Sequence, residues 1–547
     1  MARPARLTTK ELVSDYLSRG VWQPFSLSDH WERNAKRNPE GLAVSDGARA
    51  LSWSEAKVWT DRLALALVQL GLKRDDLLAI QLPNSVELPL IRVACEKAGI
   101  LSLPLPRTLR QAEMGHCLGF TEAAAVVLPW VFRDFDYFGM IRELRERLPH
   151  LRHILIAGDK APAGALSLEE IVGHPWEEKT DPTVLEARRY KATEVSLINS
   201  TTGSTGPPKF AEYPAAARLL YGRSYADVLG LTEHDVLAAL SPAAGGPNIP
   251  VYFAAPQVGA KIVLLSHFEP EAAFNLIQRE RVTVACVVPA LLAMMVRCPR
   301  SDRHDLSSVR YWLSVSAPLG SNLAREAEEK LGGIVLNTYG AVDWGGVVFT
   351  APEDPPEVRY FTVGRPRVDT EVRLVDEAGR IVAKGETGEL QGRGPSCLSG
   401  YYRNQEASAH AWTSDGWLPL GDLGQWDEKG NLILVGRKDE LIIRGGQNIQ
   451  PAEIEDHLVA HPKVKQAAIV GMPDPVMGQK VCAYIVPETA DGVKLEEIVS
   501  FLRSRQLAPY KLPERLELVD KFPMVSDTKI NKRILAAEIA EKLERGI

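Results

Sequence analysis

The chain is poor in cysteine, and what it has is scattered. Its six cysteines, Cys95, Cys117, Cys286, Cys298, Cys397 and Cys482, offer no CxxC zinc or redox spacing and no disulfide frame. Such thiols suit a reducing compartment. No run of about 18 apolar residues is present, so no membrane span is expected. The N-terminal stretch Met1 to Leu7 lacks the apolar core of a secretory signal. Basic blocks are missing too, and 64 Lys and Arg against 70 Asp and Glu leave a formal charge of −6. That balance argues against a nucleic-acid binder that works by neutralising phosphates. There is no fixed-period repeat and no low-complexity tract. The expectation is a cytoplasmic, enzyme-sized protein with no nucleic-acid or membrane partner.

What is there is ordinary globular material. The 547 residues are 45% hydrophobic and 24% charged, which excludes disorder as the main state. Short apolar runs at Leu77–Leu82, Ala124–Leu128, His153–Ala157, Val195–Ile198, Lys261–Leu265 and Thr283–Val288 read as buried strands. Amphipathic stretches such as Ala272–Arg281 and Ala324–Leu331 lie between or after them. A helix is expected from Val86 to Lys97, capped by Ser85 and stopped at Gly99. This alternation predicts an α/β layer fold with mostly parallel sheets. From about Val358 the strands shorten and glycine punctuates them, as in Glu371–Val375 and Gly388–Leu390, which predicts antiparallel structure. Pro352–Glu357 reads as a surface loop. Beyond Gly436 and Arg437, a helix at Pro451–Leu458, strands at Val464–Val470 and Lys480–Val486, and a helix at Leu495–Arg505 suggest a small separate domain. The boundary is placed at Lys438–Asp439, giving domains 1–438 and 439–547.

The most informative segment runs from Ser200 through Thr201, Thr202, Gly203, Ser204, Thr205, Gly206, Pro207 and Pro208 to Lys209. It follows an apolar run, so it emerges from a strand. Glycine lets backbone N–H groups approach an anion, Ser and Thr add donors, and Lys209 adds charge on a proline-stiffened segment. No Gly-Lys-Ser/Thr ends it, so it is not a Walker loop. The same composition also describes a solvent-exposed linker.

With its neighbours, this segment resembles the signature of the AMP-forming adenylate enzymes: acyl-CoA synthetases, peptide-synthetase adenylation domains and luciferases. The other motifs follow in the family's order. They are Tyr339-Gly-Ala-Val-Asp343, Gly388-Glu-Leu390 with Gly400-Tyr-Tyr402, Leu420-Gly-Asp-Leu423, Gly436-Arg-Lys-Asp439 and Lys529. Tyr16–Gln23, Arg444-Gly-Gly446 and Leu507–Pro513 look most like the stand-alone aryl-acid adenylating enzymes.

The resemblance implies a large N-terminal domain of layered, mostly parallel sheets plus a distorted β-barrel, and a small mobile C-terminal α+β domain. It implies two steps. A carboxylate attacks the α-phosphate of ATP and expels pyrophosphate; a thiol then attacks the acyl carbon and expels AMP. Thr201, Thr202, Gly203, Ser204, Thr205 and Lys209 would hold the β- and γ-phosphates. Asp343 would bind Mg²⁺, Asp422 both ribose hydroxyls, and Arg437 the ribose or phosphate. Tyr339, with Thr338 and Gly340 beside it, would stack on adenine. Asn337 or the Ser316-Ala317-Pro318 backbone would read the adenine edge. Core packing is the other reading for Tyr339, and a loop or capping carboxylate for Asp343. Lys529 would serve the first step as the catalytic lysine. Asp439 would be the hinge that withdraws Lys529 and brings Gly445 and Gly446 to the thiol channel.

Three departures stand out. Val342 replaces threonine, Asp343 replaces glutamate and is one methylene shorter, and Thr528 replaces the glycine before the catalytic lysine. The acid pocket is expected from Ser241–Val251, with Ala243, Ala244, Gly245, Asn248, Ser314, Ala341 and Val342 lining it. It lacks the aspartate that would pair with an α-amino group and the His-Asn pair that would read a catechol. A benzoate-like, anthranilate-like or alicyclic acid is therefore expected. Trp344 would wall the pocket or simply pack. The leading expectation is an aryl-acid:CoA ligase using ATP, Mg²⁺ and CoA; a homodimer is compatible with it. Two alternatives stand beside it. One is a stand-alone enzyme loading the pantetheine thiol of a carrier protein. The other is an acyl transferase or adenylate-binding protein that adenylates weakly.

Overall fold

The computed structural model describes residues 9–201, 208–242, 246–299, 301–342, 344–367, 369–445, 447–489, 492–526 and 529–545. Two large sheets dominate the N-terminal four-fifths. One has nine strands, of which Leu42–Ser45, Lys261–Leu264, Val236–Ala239, Val284–Val287, Tyr311–Ser314 and Ile334–Tyr339 are parallel to one another. The other has eight, with Val195–Ser200, Leu101–Pro104, Leu77–Ile80, Ala125–Leu128, His153–Ile156 and Leu166–Ser167 parallel.

Alternation along a strand explains the layering. Leu78 and Ile80 face one apolar cluster while Leu77 and Ala79 face another. Both faces are covered, as parallel sheets require. The first cluster joins the facing sides of both sheets to the helices Glu87–Ala98, Ala215–Leu229 and Ile249–Val258. These helices form a central layer. Every residue of Glu87–Ala98 is buried, as expected of a helix enclosed on all sides.

Gly99 ends that helix in the left-handed region at φ 70°, as expected, but Ser85 does not cap its start. The cap position is Val86, whose side chain has no oxygen to offer, and the Ser85 hydroxyl makes no hydrogen bond. The residue beside it, Asn84, instead donates to the carbonyls of Ala239, Ser241 and Leu265 and ties this turn to the nine-stranded sheet. The Pro352–Glu357 loop is shorter than expected. Pro356 opens a helix, Pro356–Phe361, because a first-turn proline loses no helical hydrogen bond.

Downstream, Glu371–Val375, Gly388–Arg393, Leu418–Trp426 and Leu432–Arg437 form a four-stranded antiparallel sheet where the resemblance implies a barrel. After the short turn Lys438–Glu440, the strands Ile442–Arg444, Gln447–Ile449, Val464–Asp474, Gly478–Pro487 and Arg515–Leu518 make a separate sheet with its own core. All six cysteines are free thiols. No helix among the described residues is long and apolar enough to cross a membrane.

Candidate active site

Ligands of open parallel sheets gather where the strands end at their carboxyl edge. The nine-stranded sheet presents such an edge here, and the four-stranded antiparallel sheet meets it. Ile334–Tyr339 and Tyr311–Ser314 end there, and the segment after Val236–Ala239 begins there. Tyr339 is 8% exposed, and its hydroxyl donates to Asp422 Oδ2 at 2.5 Å. Asp422 belongs to the antiparallel sheet, in register with Arg437 on the next strand, and Arg437 Nη1 lies 3.2 Å from Asp422 Oδ1. The Arg437 Nε donates to Asp439 Oδ1 at 3.2 Å, and Arg533 Nη2 reaches the other Asp439 oxygen at 3.1 Å. The line Tyr339–Asp422–Arg437–Asp439–Arg533 thus runs from the large sheet to the C-terminal helix Lys532–Glu544. Burial works against ionising Asp439, but the two arginines outweigh it and hold the carboxyl below its usual range. Burial likewise opposes the charge on Arg437, while Asp422 and Asp439 raise its pKa.

The Ser/Thr/Gly segment lies between antiparallel strands Val195–Ser200 and Phe210–Pro214. Its base is closed by Thr201 N–H donating to the Lys209 carbonyl at 2.8 Å and Lys209 N–H donating to Thr201 Oγ1 at 2.9 Å. The Lys209 ammonium sits 5.0 Å from the centre of the Tyr401 ring. Thr202, Gly203, Ser204 and Thr205 lie outside the described residues, as do Ala243, Ala244, Gly245, Asp343, Gly446 and Thr528.

Ser316 adopts φ 77°, a conformation that costs a non-glycine residue energy, in the loop that carries Ala317 and Pro318. The Asn337 side chain donates to the Thr362 carbonyl at 3.0 Å, and Thr338 is buried. Asn248 is fully buried and donates to the carbonyls of Ser241 and Pro242, while its Oδ1 has no partner. The buried Ser241 and Ser314 hydroxyls also lack partners. Unsatisfied buried polar atoms are uncommon, and these three fall within the segments expected to line an acid pocket. The Ala341 carbonyl accepts from Gly345 N–H.

Trp344 packs rather than lining open space. It is fully buried, and a Cβ at Gly346 or Gly392 would lie 2.0 or 2.3 Å from its ring. Gly445 takes φ 56° and donates to the Met477 carbonyl. The backbone of Lys529 pairs with Ser526 in a short hairpin.

Several contributors lie outside the sequence motifs. The Val342 carbonyl accepts from the Tyr213 hydroxyl at 2.5 Å and from Arg218 Nη2 at 3.3 Å, so the loop before Asp343 is pinned from behind. Lys532, three residues past Lys529, bonds Glu440 at 2.8 Å and Glu455 at 2.8 Å. Burial raises the Glu455 pKa against the pull of Lys532. Lys532 and Arg533 could have been flagged from their place directly after the catalytic-lysine motif. Tyr213 and Arg218 become visible only once the sheets are assembled.

Residues 31–402 match the AMP-binding enzyme family, and residues 453–529 match the AMP-binding enzyme C-terminal domain. The chain belongs to this family. It is 32% identical to 2,3-dihydroxybenzoate-AMP ligase of Bacillus subtilis (strain 168) over 98% of each chain. It is 33% identical to 2-hydroxy-7-methoxy-5-methyl-1-naphthoate–CoA ligase of Streptomyces carzinostaticus over 96% of this chain and 95% of that one. An anthranilate CoA ligase solved with anthranoyl-AMP shares the fold at a TM-score of 0.86, with 24% identity over 96% of this chain and 98% of that one.

Proposed function

We propose that the chain activates an aromatic carboxylic acid with ATP to an acyl-adenylate and passes the acyl group to CoA, releasing pyrophosphate and then AMP. The observation that carries this reading is the Tyr339–Asp422–Arg437 line, which joins the nine-stranded sheet to the four-stranded one. Asp422 can accept two hydroxyl hydrogen bonds, which suits a ribose, and Tyr339 offers a ring face beside it. Relatives matched over nearly their whole length include an aryl-acid AMP ligase and an aryl-acid CoA ligase.

The first step brings two anions together and develops charge on phosphorus, so positioned cations and donors supply most of the rate. In our reading Thr201, Lys209 and the hydroxyls between them grip the triphosphate tail. Lys529 faces the attacking carboxylate and the α-phosphate. Among the described residues no three His, Cys, Asp or Glu side chains cluster into a protein cage. We propose that a Mg²⁺ would be held through nucleotide phosphates and one carboxylate, Asp343. When bound, the ion shares the phosphate charge. The small domain, 439–547, would turn about Asp439 to exchange Lys529 for the Gly445–Gly446 segment.

The test mixes protein, ATP and Mg²⁺ with benzoate or anthranilate, with and without CoA. Acid-dependent ATP–pyrophosphate exchange and CoA-stimulated AMP release are expected. AMP release that ignores CoA but responds to a carrier protein would overturn the acceptor. Absence of exchange across a broad acid panel would overturn the activity.

A further inference from the structure

The turn Lys438–Glu440 joins the antiparallel sheet to the small C-terminal domain, and its three residues are held from different sides. Lys438 is tied backward. Its ammonium lies 2.8 Å from a Glu389 oxygen on the strand Gly388–Arg393 of the large domain. Glu440 is tied forward. It bonds Lys532 at 2.8 Å, and Lys532 also bonds Glu455 at 2.8 Å. Glu455 in turn accepts from the Ile469 N–H at 2.6 Å, so this anchor is part of the small domain's own sheet. Lys438 is therefore fixed to one body and Glu440 to the other, and Asp439 alone stands between them.

Both bodies grip Asp439 at once. Arg437 Nε donates to its Oδ1 at 3.2 Å, and Arg533 Nη2 donates to its Oδ2 at 3.1 Å. Arg437 is not free to follow the carboxylate, because its Nη1 is also held 3.2 Å from Asp422. Arg533 sits in the first turn of the helix Lys532–Glu544, directly after the anchored Lys532, so it travels with the small domain.

A chain turns at one residue through φ and ψ alone. Rotation about φ carries the Asp439 side chain with the small domain and parts it from Arg437. Rotation about ψ leaves that side chain with the large domain and parts it from Arg533. A large turn at Asp439 therefore breaks at least one of the two ion pairs.

We propose that Arg533 is a positioning residue for the reaction: with Arg437 it latches Asp439 and holds the small domain in the orientation seen here. This rests on the reading that the two half-reactions use two orientations related by a turn about Asp439, and it names what holds one of them. The Arg533 side chain is 55% exposed, so the latch is a surface ion pair that salt screens. A weak latch suits a joint that opens in every cycle.

The test reads the orientation directly, in the full-length protein without nucleotide. Fluorophores are attached at Ile381→Cys on the large domain and Val476→Cys on the small one, both exposed positions, with Cys298→Ser and Cys397→Ser removing the partly exposed native thiols. Single-molecule energy transfer then counts the molecules outside the main orientation. Arg533→Met should raise that fraction about two- to fivefold, the worth of an exposed ion pair. Arg533→Glu should raise it about tenfold, because repulsion replaces the lost attraction. Arg533→Lys should stay near wild type. So should Arg545→Glu, the same charge change just past the far end of that helix. Salt at about 1 M should bring wild type and Arg533→Met together. In Arg533→Glu the ratio of acid-dependent exchange to thioester formation from supplied acyl-adenylate should shift about threefold or more, with little change in melting temperature.

An unshifted distribution in Arg533→Glu would overturn the latch, and so would an equal shift in Arg545→Glu. A lower melting temperature with both half-reactions slowed equally would make Arg533 a structural residue and overturn it too. Exchange that persists beside an unshifted distribution would overturn the latch and leave the adenylation reading standing. A shifted distribution with no exchange for any acid would support the latch and overturn that reading.

Discussion

The Tyr339 hydroxyl and the Asp422 carboxylate meet at 2.5 Å and join the last residue of a parallel strand to an antiparallel sheet. Asp422→Asn keeps the shape but loses the charge that makes the carboxylate a strong acceptor. Charge-assisted hydrogen bonds are worth about 2 kcal/mol, so kcat/KM for ATP should fall roughly thirtyfold. Discrimination against 2′-deoxy-ATP should shrink with it. Tyr339→Phe keeps the ring and should cost roughly fivefold. Exchange kinetics with both nucleotides check this; unchanged discrimination in Asp422→Asn would remove the ribose role.

Asp439 is gripped from the large-domain side by Arg437 and from the C-terminal helix by Arg533. A residue that must turn during the cycle cannot tolerate a fixed φ. Asp439→Pro should therefore spare one half-reaction to within about threefold and slow the other by at least about tenfold. Separate assays of exchange and of thioester formation from supplied acyl-adenylate measure the split. Equal slowing of both would contradict a pivot there.

His30 lies in the helix Leu27–Arg37, 4% exposed, and burial pushes its pKa down to about 4 from the usual 6.5. The unfolded chain takes up that proton first as pH falls. Stability is therefore intact above about pH 6.5 and declines toward pH 4, by as much as about 3 kcal/mol. His30→Gln should lose less stability between pH 7 and pH 5 than the wild type. Urea unfolding at both pH values measures this, and identical losses would refute it.

Gly392 faces the buried Trp344, where a Cβ would come within 2.3 Å of the indole. Gly392→Ala should lower stability by about 1–3 kcal/mol through overpacking. Thermal melting checks it. An unchanged melting temperature would mean that the ring has room to move.

Much of this fold is written in local pattern. Leu77–Ile80 and Val284–Val287 are continuous apolar runs because both faces are covered, and Gly99 stops its helix through backbone freedom alone. Ser85 misled because a capping residue is defined by the angle at which the chain enters the helix, which sequence does not fix. The motif residues Tyr339, Asp422 and Arg437 are legible one by one; their contact is not, since Tyr339 and Asp422 come from different sheets and Asp422 and Arg437 from different strands. The buried Arg218 is invisible for a related reason. An arginine on a helix reads as surface until the layers on both sides are known.

The central claim is that a C-terminal lysine serves the first step alone. Lys529→Ala should lower acid-dependent ATP–pyrophosphate exchange by about a hundredfold or more, while thioester formation from supplied acyl-adenylate and CoA stays within about threefold of wild type. Comparable loss in both reactions would contradict it.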